Sequence, residues 1–267
     1  MVGDIMSYWN ALRAYYSSTA AADVRIDSST DTIQTIDYEH HEIHDGSHFY
    51  LQGYIELASA ATFCVKLVTP ASTKWSHFVF DIKSTGICTS TLDGNAAGMT
   101  GGDVATIHAN NRNKDCWVGT HTPAGSSNTV LTDSTASWTV DALIGYQVFN
   151  TTDKSSGIIT DNDATTVTVA ALAGGTDNDF DQNDVYEINK SRMVITTGVT
   201  TCTSYLQRLE NDKWGSDGFK ENIGGGSGRS DEIVLKQDTT YCRSFISGAA
   251  DNIIQFKASW YEHTDKH

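Results

Sequence analysis

The sequence predicts an all-β protein: an antiparallel β-sandwich or jelly-roll-like barrel with an inserted small β domain and a short N-terminal helix. Short apolar runs recur at regular spacing, and turn residues separate them. The 267 residues include 22 glycines but only 2 prolines, a composition typical of strands joined by tight turns. In the last run, Ile254, Phe256 and Trp260 alternate with polar neighbours, which indicates a strand with one buried face.

The N-terminal segment 1–35 is predicted to be a helix followed by an arm. Apolar residues, among them Tyr8, Trp9 and Leu12, recur at helical spacing over residues 4–16. Residues 17–35 are small, polar and weakly periodic. We expect this arm to become ordered only against a neighbouring molecule.

A parent β domain is predicted from 36–116 and 190–267. Turn signals such as Asp45-Gly46 and Asp93-Gly94 bound its runs, and the glycine-rich residues 224–228 predict a surface loop. Its strands are predicted at residues 36–44, 48–57, 61–69, 75–83, 86–92, 192–197, 203–210, 231–236, 239–247 and 252–262.

The segment between these halves, residues 117–189, is predicted to be a small β domain inserted into the parent fold. It has its own apolar residues, such as Leu131, Val148 and Phe180, and its own turn signals. Its predicted strands lie at 145–150, 156–161, 164–170 and 184–189. Insertion at an exposed loop is tolerated when the ends of the inserted domain are neighbours.

Net charge bears on the partners of the protein, and cysteine usage bears on its redox compartment. The net charge is −15, so phosphate backbones and anionic membrane surfaces would be repelled. We therefore predict no nucleic-acid partner and no membrane partner. The N-terminus lacks the pattern of a secretory signal, and the five cysteines form an odd set without CxxC spacing. Free, mostly buried thiols in a reducing cytoplasm are expected.

A histidine cluster near the start of the parent domain is the sharpest local motif. If residues 38–44 form a strand, His40, Glu42 and His44 project from one face. Two imidazoles and a carboxylate can bind zinc with an open position. The preferred alternative is a polar, half-exposed strand face or an intersubunit surface, because spacing alone is weak support for a site.

An acidic run in the inserted segment is a second candidate metal site. Asp177, Asp179, Asp181 and Asp184 lie within the acidic loop 177–184, and carboxylates are ligands that calcium prefers. The run fails the EF-hand pattern, because Gln182 stands where that pattern requires glycine. A solvated acidic turn is the preferred interpretation, and the calcium alternative stays open.

No catalytic constellation emerges from the sequence. The run 225–229 (GGSGR) misses the GxSxG pattern at its last position. A carboxylate pair for glycoside cleavage is formally possible, but sequence alone cannot place two carboxyl groups at the required separation. We therefore predict no catalytic residue, no cofactor and no metal ligand, and expect that the protein is not an enzyme.

Four segments resemble a family of small virion structural proteins of tailed bacteriophages. They are residues 38–49 (YEHHEIHDGSHF), 110–113 (NNRN), 234–241 (VLKQDTTY) and 259–264 (SWYEHT), and the resemblance covers 36–116 and 190–264. The insertion resembles a β module of other phage structural proteins through 136–140 (ASWTV), 143–145 (LIG) and 172–180 (LAGGTDNDF). Both resemblances imply a structural role in a virion, and the module implies surface display.

The leading functional hypothesis is a capsid decoration or cement protein, assembled in the host cytoplasm, that binds and stabilises the outer surface of a phage head. Its expected partners are the major capsid protein and further copies of itself, most simply as a trimer. One alternative is a tail or fibre component that recognises a host-surface glycan through exposed aromatics such as Trp117 or Trp214. Another is a depolymerase-type enzyme acting on host polysaccharide.

Overall fold

The computed structural model describes residues 14–17, 20–22, 38–71, 74–114, 116–215 and 232–264. The chain divides into two units, Met1–His41 and Glu42–His267. The described part of the first unit contains an antiparallel hairpin of strands β1 (Ala14–Ser17) and β2 (Ala20–Ala22). The helix predicted over 4–16 is therefore wrong at its end, where Ala14 pairs with Ala22 and Tyr15 with Ala21. Its earlier part, 4–13, lies outside the described residues.

An α-helix, α1 (Tyr38–Asp45), lies where a strand was predicted, so that prediction was wrong. Gly46 has a φ of 83°. Its N–H donates to the Ile43 carbonyl, and the Ser47 N–H donates to the Glu42 carbonyl. These two bonds satisfy the last carbonyls of a helix around a left-handed glycine. Asp45-Gly46 therefore ends a helix instead of joining two strands.

Beyond α1, the described residues form strands, loops and one turn of 3-10 helix at Arg112–Lys114. The strands before the insertion are β3 (His48–Leu57), β4 (Thr62–Val68), β5 (Lys74–Ser84), β6 (Cys88–Gly94), β7 (Asp103–Val104) and β8 (His108–Ala109). The insertion contains β9 (Trp117–Thr120), β10 (Val130–Thr132), β11 (Gln147–Asn150), β12 (Ser156–Asn162), β13 (Thr166–Val169) and β14 (Val185–Asn189). The C-terminal part adds β15 (Val194–Val199), β16 (Gln207–Trp214), β17 (Ile233–Leu235), β18 (Thr240–Ser247) and β19 (Asn252–Thr264).

Eleven of these strands form two antiparallel sheets that face each other. The six-stranded sheet has the order β16-β6-β18-β4-β15-β7, and the five-stranded sheet has the order β17-β5-β19-β3-β8. One hydrophobic cluster joins Leu67 and Phe245 of the first sheet to Phe256 and Trp260 of the second. The all-β prediction is therefore confirmed, and the arrangement is that of a sandwich.

Strand β19 shows why this sequence forms the sandwich. It pairs with β3 on one side and with β5 on the other, so it is a central strand. Ile254, Phe256 and Trp260 are buried, whereas Ile253, directly before them, is exposed. Burial of each large apolar side chain contributes about 1.5–3 kcal/mol, and the period of two directs every one of them to the same core.

The inserted segment forms a sheet of its own. The order is β10-β13-β12-β11-β14-β9, and all six strands come from residues 117–189. A separate hydrophobic cluster, which includes Leu131, Val148, Phe180 and Tyr186, covers one face of this sheet. Independent folding of the segment stays a prediction.

The insertion leaves and rejoins the sandwich through neighbouring strands. Trp117 of β9 lies opposite Ile188 of β14. The Lys190 ammonium lies 4.4 Å from the centroid of the Trp117 ring, and Arg192 lies 5.1 Å from that of Tyr146. Contacts of this cation–π type orient one segment on another. We call the region of residues 117 and 188–192 the joint.

Candidate functional site

The structure does not bring the predicted zinc residues to one face. His40 and His44 are exposed on α1, whereas Glu42 is buried and accepts a hydrogen bond from the Ser47 hydroxyl. Residues two apart point in different directions on a helix. The strand geometry that the zinc alternative requires is therefore wrong, and Glu42 instead helps to end α1.

The acidic loop 177–184 folds around one buried carboxylate. Asp184 Oδ2 accepts hydrogen bonds of 2.8 Å from Asn150 Nδ2 and from the Asp181 backbone N–H. Partial desolvation and the charges of neighbouring aspartates, Asp177 first, raise the pKa of Asp181. Across the part of the chain that the structure describes, no group of three or more His, Cys, Asp or Glu residues is arranged to hold a metal ion.

The aromatics named for glycan recognition fall in different settings. Trp117 is half-buried, packs on the core of the inserted sheet and meets Tyr146 edge-on at 6.2 Å between ring centroids. It therefore has a packing role at the joint. The side chain of Trp214, the residues Tyr8, Trp9 and Leu12, and the run 225–229 lie outside the described residues.

A different set of polar and aromatic side chains meets on the outer face of the five-stranded sheet. His77 Nδ1 lies 2.5 Å from Oε1 of Glu232, and His77 Nε2 lies 2.7 Å from Nε2 of His263. The Tyr261 hydroxyl donates to the same Glu232 oxygen at 3.0 Å. We call His77, Glu232, Tyr261 and His263 the His77 cluster.

Strand register explains how residues so distant in sequence meet. Tyr261 of β19 lies opposite His77 of β5, and His77 lies opposite Val234 of β17. Their neighbours Phe78 and Trp260 point into the core. Because side chains alternate along a strand, the His77 cluster must lie on the other face. The His77 and Tyr261 rings stack at 4.5 Å between centroids.

Hydrogen-bond chemistry limits what this cluster can do. Between the two Nε2 atoms of His77 and His263, one nitrogen must donate and the other accept. This contact therefore holds a single proton. The arrangement is a satisfied polar network that keeps its rings in fixed positions.

Beside the His77 cluster is a shallow pocket of about 230 Å³. Trp75, Val234, Leu235, Lys236 and Gln237 line it. The Trp75 and Val234 side chains are 43% and 42% exposed. This volume is below the range of roughly 300–1,000 Å³ that is typical of small-molecule sites. The pocket fits one side chain or one ring of a partner, and we call it the Trp75 surface.

Sequence reasoning missed both features. The strand containing Trp75 and His77 was predicted, and the sequence places these two residues on one face of it. Their proximity to Tyr261 and Val234 depends on the sheet order β17-β5-β19, which one sequence does not reveal.

Comparisons with known proteins give no relative from which to transfer a function. No protein-family model matches the chain, and no curated protein sequence matches it either. No described helix is long and apolar enough to cross a membrane.

Proposed function

We propose that this chain is a structural protein of a tailed-bacteriophage virion that binds the outside of the head as a decoration or cement protein. Its partners are the major capsid protein and further copies of itself, with a trimer as the expected oligomer. It assembles in the host cytoplasm and acts on the exterior of the capsid. The proposal assigns binding to the chain and no catalytic step.

The observation that carries the proposal is the convergence of three resembling segments on the outer face of the five-stranded sheet. His48, from residues 38–49, lies opposite Tyr261, from residues 259–264. Val234, from residues 234–241, lies opposite His77, which itself lies opposite Tyr261. Segments far apart in sequence that meet on one face of a sheet support a shared role, and the exposed part of this face, at Trp75 and Val234, offers the contact.

The chemistry of this surface favours a protein partner. Aromatic residues are enriched at the centres of protein interfaces, and Trp75 is exposed beside the cationic Lys236. The chain has 33 acidic and 18 basic residues, so most of its surface would repel an acidic partner. We therefore assign the capsid contact to the Trp75 surface.

The inserted sheet supports a role in display. It is attached through two neighbouring strands and fixed at the joint, where Arg192 Nη2 donates to the Ile144 carbonyl at 3.4 Å. Such an attachment lets a module project while the sandwich keeps its own core. We propose that the sandwich forms the base on the capsid and that the insertion points outward.

An add-back binding experiment tests the proposal. Phage heads assembled without this protein are mixed with the purified chain and sedimented, and bound protein is counted against the major capsid protein. We expect saturable binding that Trp75→Ala weakens about tenfold or more. Tyr54→Ala is the matched control, because Tyr54 is a 76% exposed aromatic on the same sheet. Absence of binding by the unaltered chain would overturn the proposal.

The alternative is a tail or fibre component that recognises a host-surface glycan. The exposed Trp75 ring beside Gln237 and Lys236 favours it, because a ring with polar neighbours suits a sugar. A glycan array with the unaltered chain and with Trp75→Ala separates the two functions. A specific signal that Trp75→Ala abolishes, without head binding, would replace the capsid proposal.

A further inference from the structure

Two histidines of the His77 cluster bring their Nε2 atoms together on the outer face of the five-stranded sheet. The distance between Nε2 of His77 and Nε2 of His263 is 2.7 Å. The ring centroids are 4.6 Å apart, and the ring planes are inclined by 38°. Each ring therefore presents one nitrogen to the same small volume. In a neutral imidazole, the nitrogen without a hydrogen carries a lone pair that can bind a metal ion.

The Glu232 carboxylate determines which nitrogen of His77 carries the hydrogen. Oε1 of Glu232 lies 2.5 Å from Nδ1 of His77. An ionised carboxylate only accepts hydrogen bonds, so Nδ1 carries the hydrogen and the lone pair of the neutral ring is on Nε2. A histidine that binds a metal through one nitrogen almost always donates from the other to a carboxylate, a carbonyl or water. His77 already has this arrangement.

Tyr261 holds the same carboxylate and the same ring in place. Its hydroxyl donates to Glu232 Oε1 at 3.0 Å, and its ring stacks on that of His77 at 4.5 Å between centroids. Strand pairing places Tyr261 opposite His77 and His263 opposite Trp75. The orientation of the His77 ring is therefore set before any ion arrives, and such preorganisation strengthens binding.

The two nitrogens are accessible and can separate far enough to hold an ion. The side chains of His77 and Glu232 are each 18% exposed, and His263 is half-buried. Zinc binds imidazole nitrogens at about 2.0–2.1 Å in a tetrahedron, which sets two such nitrogens roughly 3.3–3.4 Å apart. The nitrogens must therefore separate by about 0.6 Å from their present contact. His263 is the last but one residue of β19, and small side-chain rotations supply this movement.

We propose that His77 and His263 bind one divalent transition-metal ion of the zinc class through their Nε2 atoms, with Glu232 as the residue that positions His77. The ion takes the place of the hydrogen between the two rings, and His263 binds it as the tautomer with its hydrogen on Nδ1. Water fills the remaining coordination positions. A site with two protein ligands is compatible with the finding that no three His, Cys, Asp or Glu residues of the described chain are arranged around one ion.

The open coordination positions define what else the site can bind. An ion with two protein ligands and exchangeable waters can accept a carboxylate or an imidazole of another molecule. The site borders the Trp75 surface, because His263 lies opposite Trp75. This inference goes beyond the proposed function and does not depend on it, since the isolated chain binds the ion whether or not it binds a capsid.

Calorimetric titration of the full chain with zinc chloride, after a chelator has removed bound metals, tests the proposal. We expect a site that His77→Ala and His263→Ala each weaken by about tenfold or more. Glu232→Ala should weaken it by about tenfold, and Glu232→Gln, which keeps an acceptor oxygen, should recover most of that loss. The control is the double variant His40→Ala/His44→Ala, which removes two exposed histidines from α1 and should leave this site unchanged.

Histidine modification by diethyl pyrocarbonate, followed by peptide mass mapping, decides the main point without any substitution. Zinc should slow the modification of His77 and His263 in the unaltered chain and leave that of His44 unchanged. Protection of other histidines only, or zinc binding that His40→Ala/His44→Ala abolishes, would overturn the proposal. No zinc binding by the unaltered chain would do the same. Equal affinities of the unaltered chain and Glu232→Ala would remove the positioning role of Glu232.

Discussion

The Ser191 hydroxyl donates a 2.5 Å hydrogen bond to Oε1 of Glu262, at the point where the inserted sheet rejoins the sandwich. Trp260 Nε1 donates to the same oxygen at 3.2 Å, and the Arg192 N–H donates to Oε2 at 3.4 Å. A buried carboxylate is stable only when donors surround it. Glu262 therefore fixes the end of the insertion against the central strand of the sandwich.

Glu262→Ala should lower the free energy of unfolding by about 2–4 kcal/mol, because it leaves the Ser191 hydroxyl and the Trp260 N–H buried without this acceptor. Urea unfolding of the full chain measures the change. Glu56→Ala removes an exposed carboxylate from β3 and should cost less than about 0.5 kcal/mol. Equal effects of the two substitutions would contradict the role given to Glu262.

Removal of residues 117–189, with a short Gly-Ser connection, should leave a sandwich that still melts cooperatively. The reason is that the insertion has its own sheet and its own hydrophobic cluster. Calorimetry of the shortened chain and of the isolated segment measures this. Leu131→Ala should destabilise the isolated segment by about 2–5 kcal/mol. A shortened chain without a cooperative transition would show that the two parts fold only together.

Tyr186→Phe should destabilise the inserted sheet by about 1.5–3 kcal/mol at neutral pH. The Tyr186 hydroxyl donates to Asp133 Oδ2 at 2.7 Å in the interior. Burial alone would raise the pKa of Asp133, but hydrogen bonds from Thr135 and Tyr186 lower it overall. The ionised Asp133 carboxylate therefore stabilises the folded state fully above the pKa that Asp133 has in the unfolded chain. This stabilisation is lost as pH falls through the lower pKa that Asp133 has in the folded protein. The difference in the free energy of unfolding between the unaltered chain and Tyr186→Phe should shrink below about pH 4. Chemical unfolding at several pH values checks this.

The inserted sheet should lose stability between pH 7 and pH 5 through His121. Burial lowers the pKa of this histidine, and its Nδ1 accepts a 3.0 Å hydrogen bond from the Thr132 N–H. The unfolded chain takes up the proton first as pH falls, so the folded form becomes less favoured, by at most about 1.4 kcal/mol per pH unit. His121→Gln should flatten this dependence. A variant with an unchanged pH profile would show that another group titrates.

Most of the strands could be predicted from the sequence because a period of two with flanking turn residues is a local signal. β19 is the best example, since its buried residues alternate over the whole strand. The helix α1 could not be predicted from the sequence, because a glycine after Asp45 is typical of both a hairpin turn and a helix end. Only the hydrogen bonds from Gly46 and Ser47 to helix carbonyls distinguish the two.

The candidate surface was less predictable than the fold, for a physical reason. His77, Glu232 and His263 are separated by many residues, and their contact depends on which strands are neighbours. The motifs that sequence spacing indicates are local ones, His40 to His44 and Asp177 to Asp184. Local spacing gives a face of one element, but a site requires the register between elements.

Cryo-electron microscopy of the intact particle tests the central claim most directly. We expect the protein in many copies on the exterior of the head, as trimers at symmetry axes, with the Trp75 surface against the major capsid protein and the inserted sheet outward. A few copies confined to the tail tip, with none on the head, would contradict the account and favour recognition of a host-surface glycan.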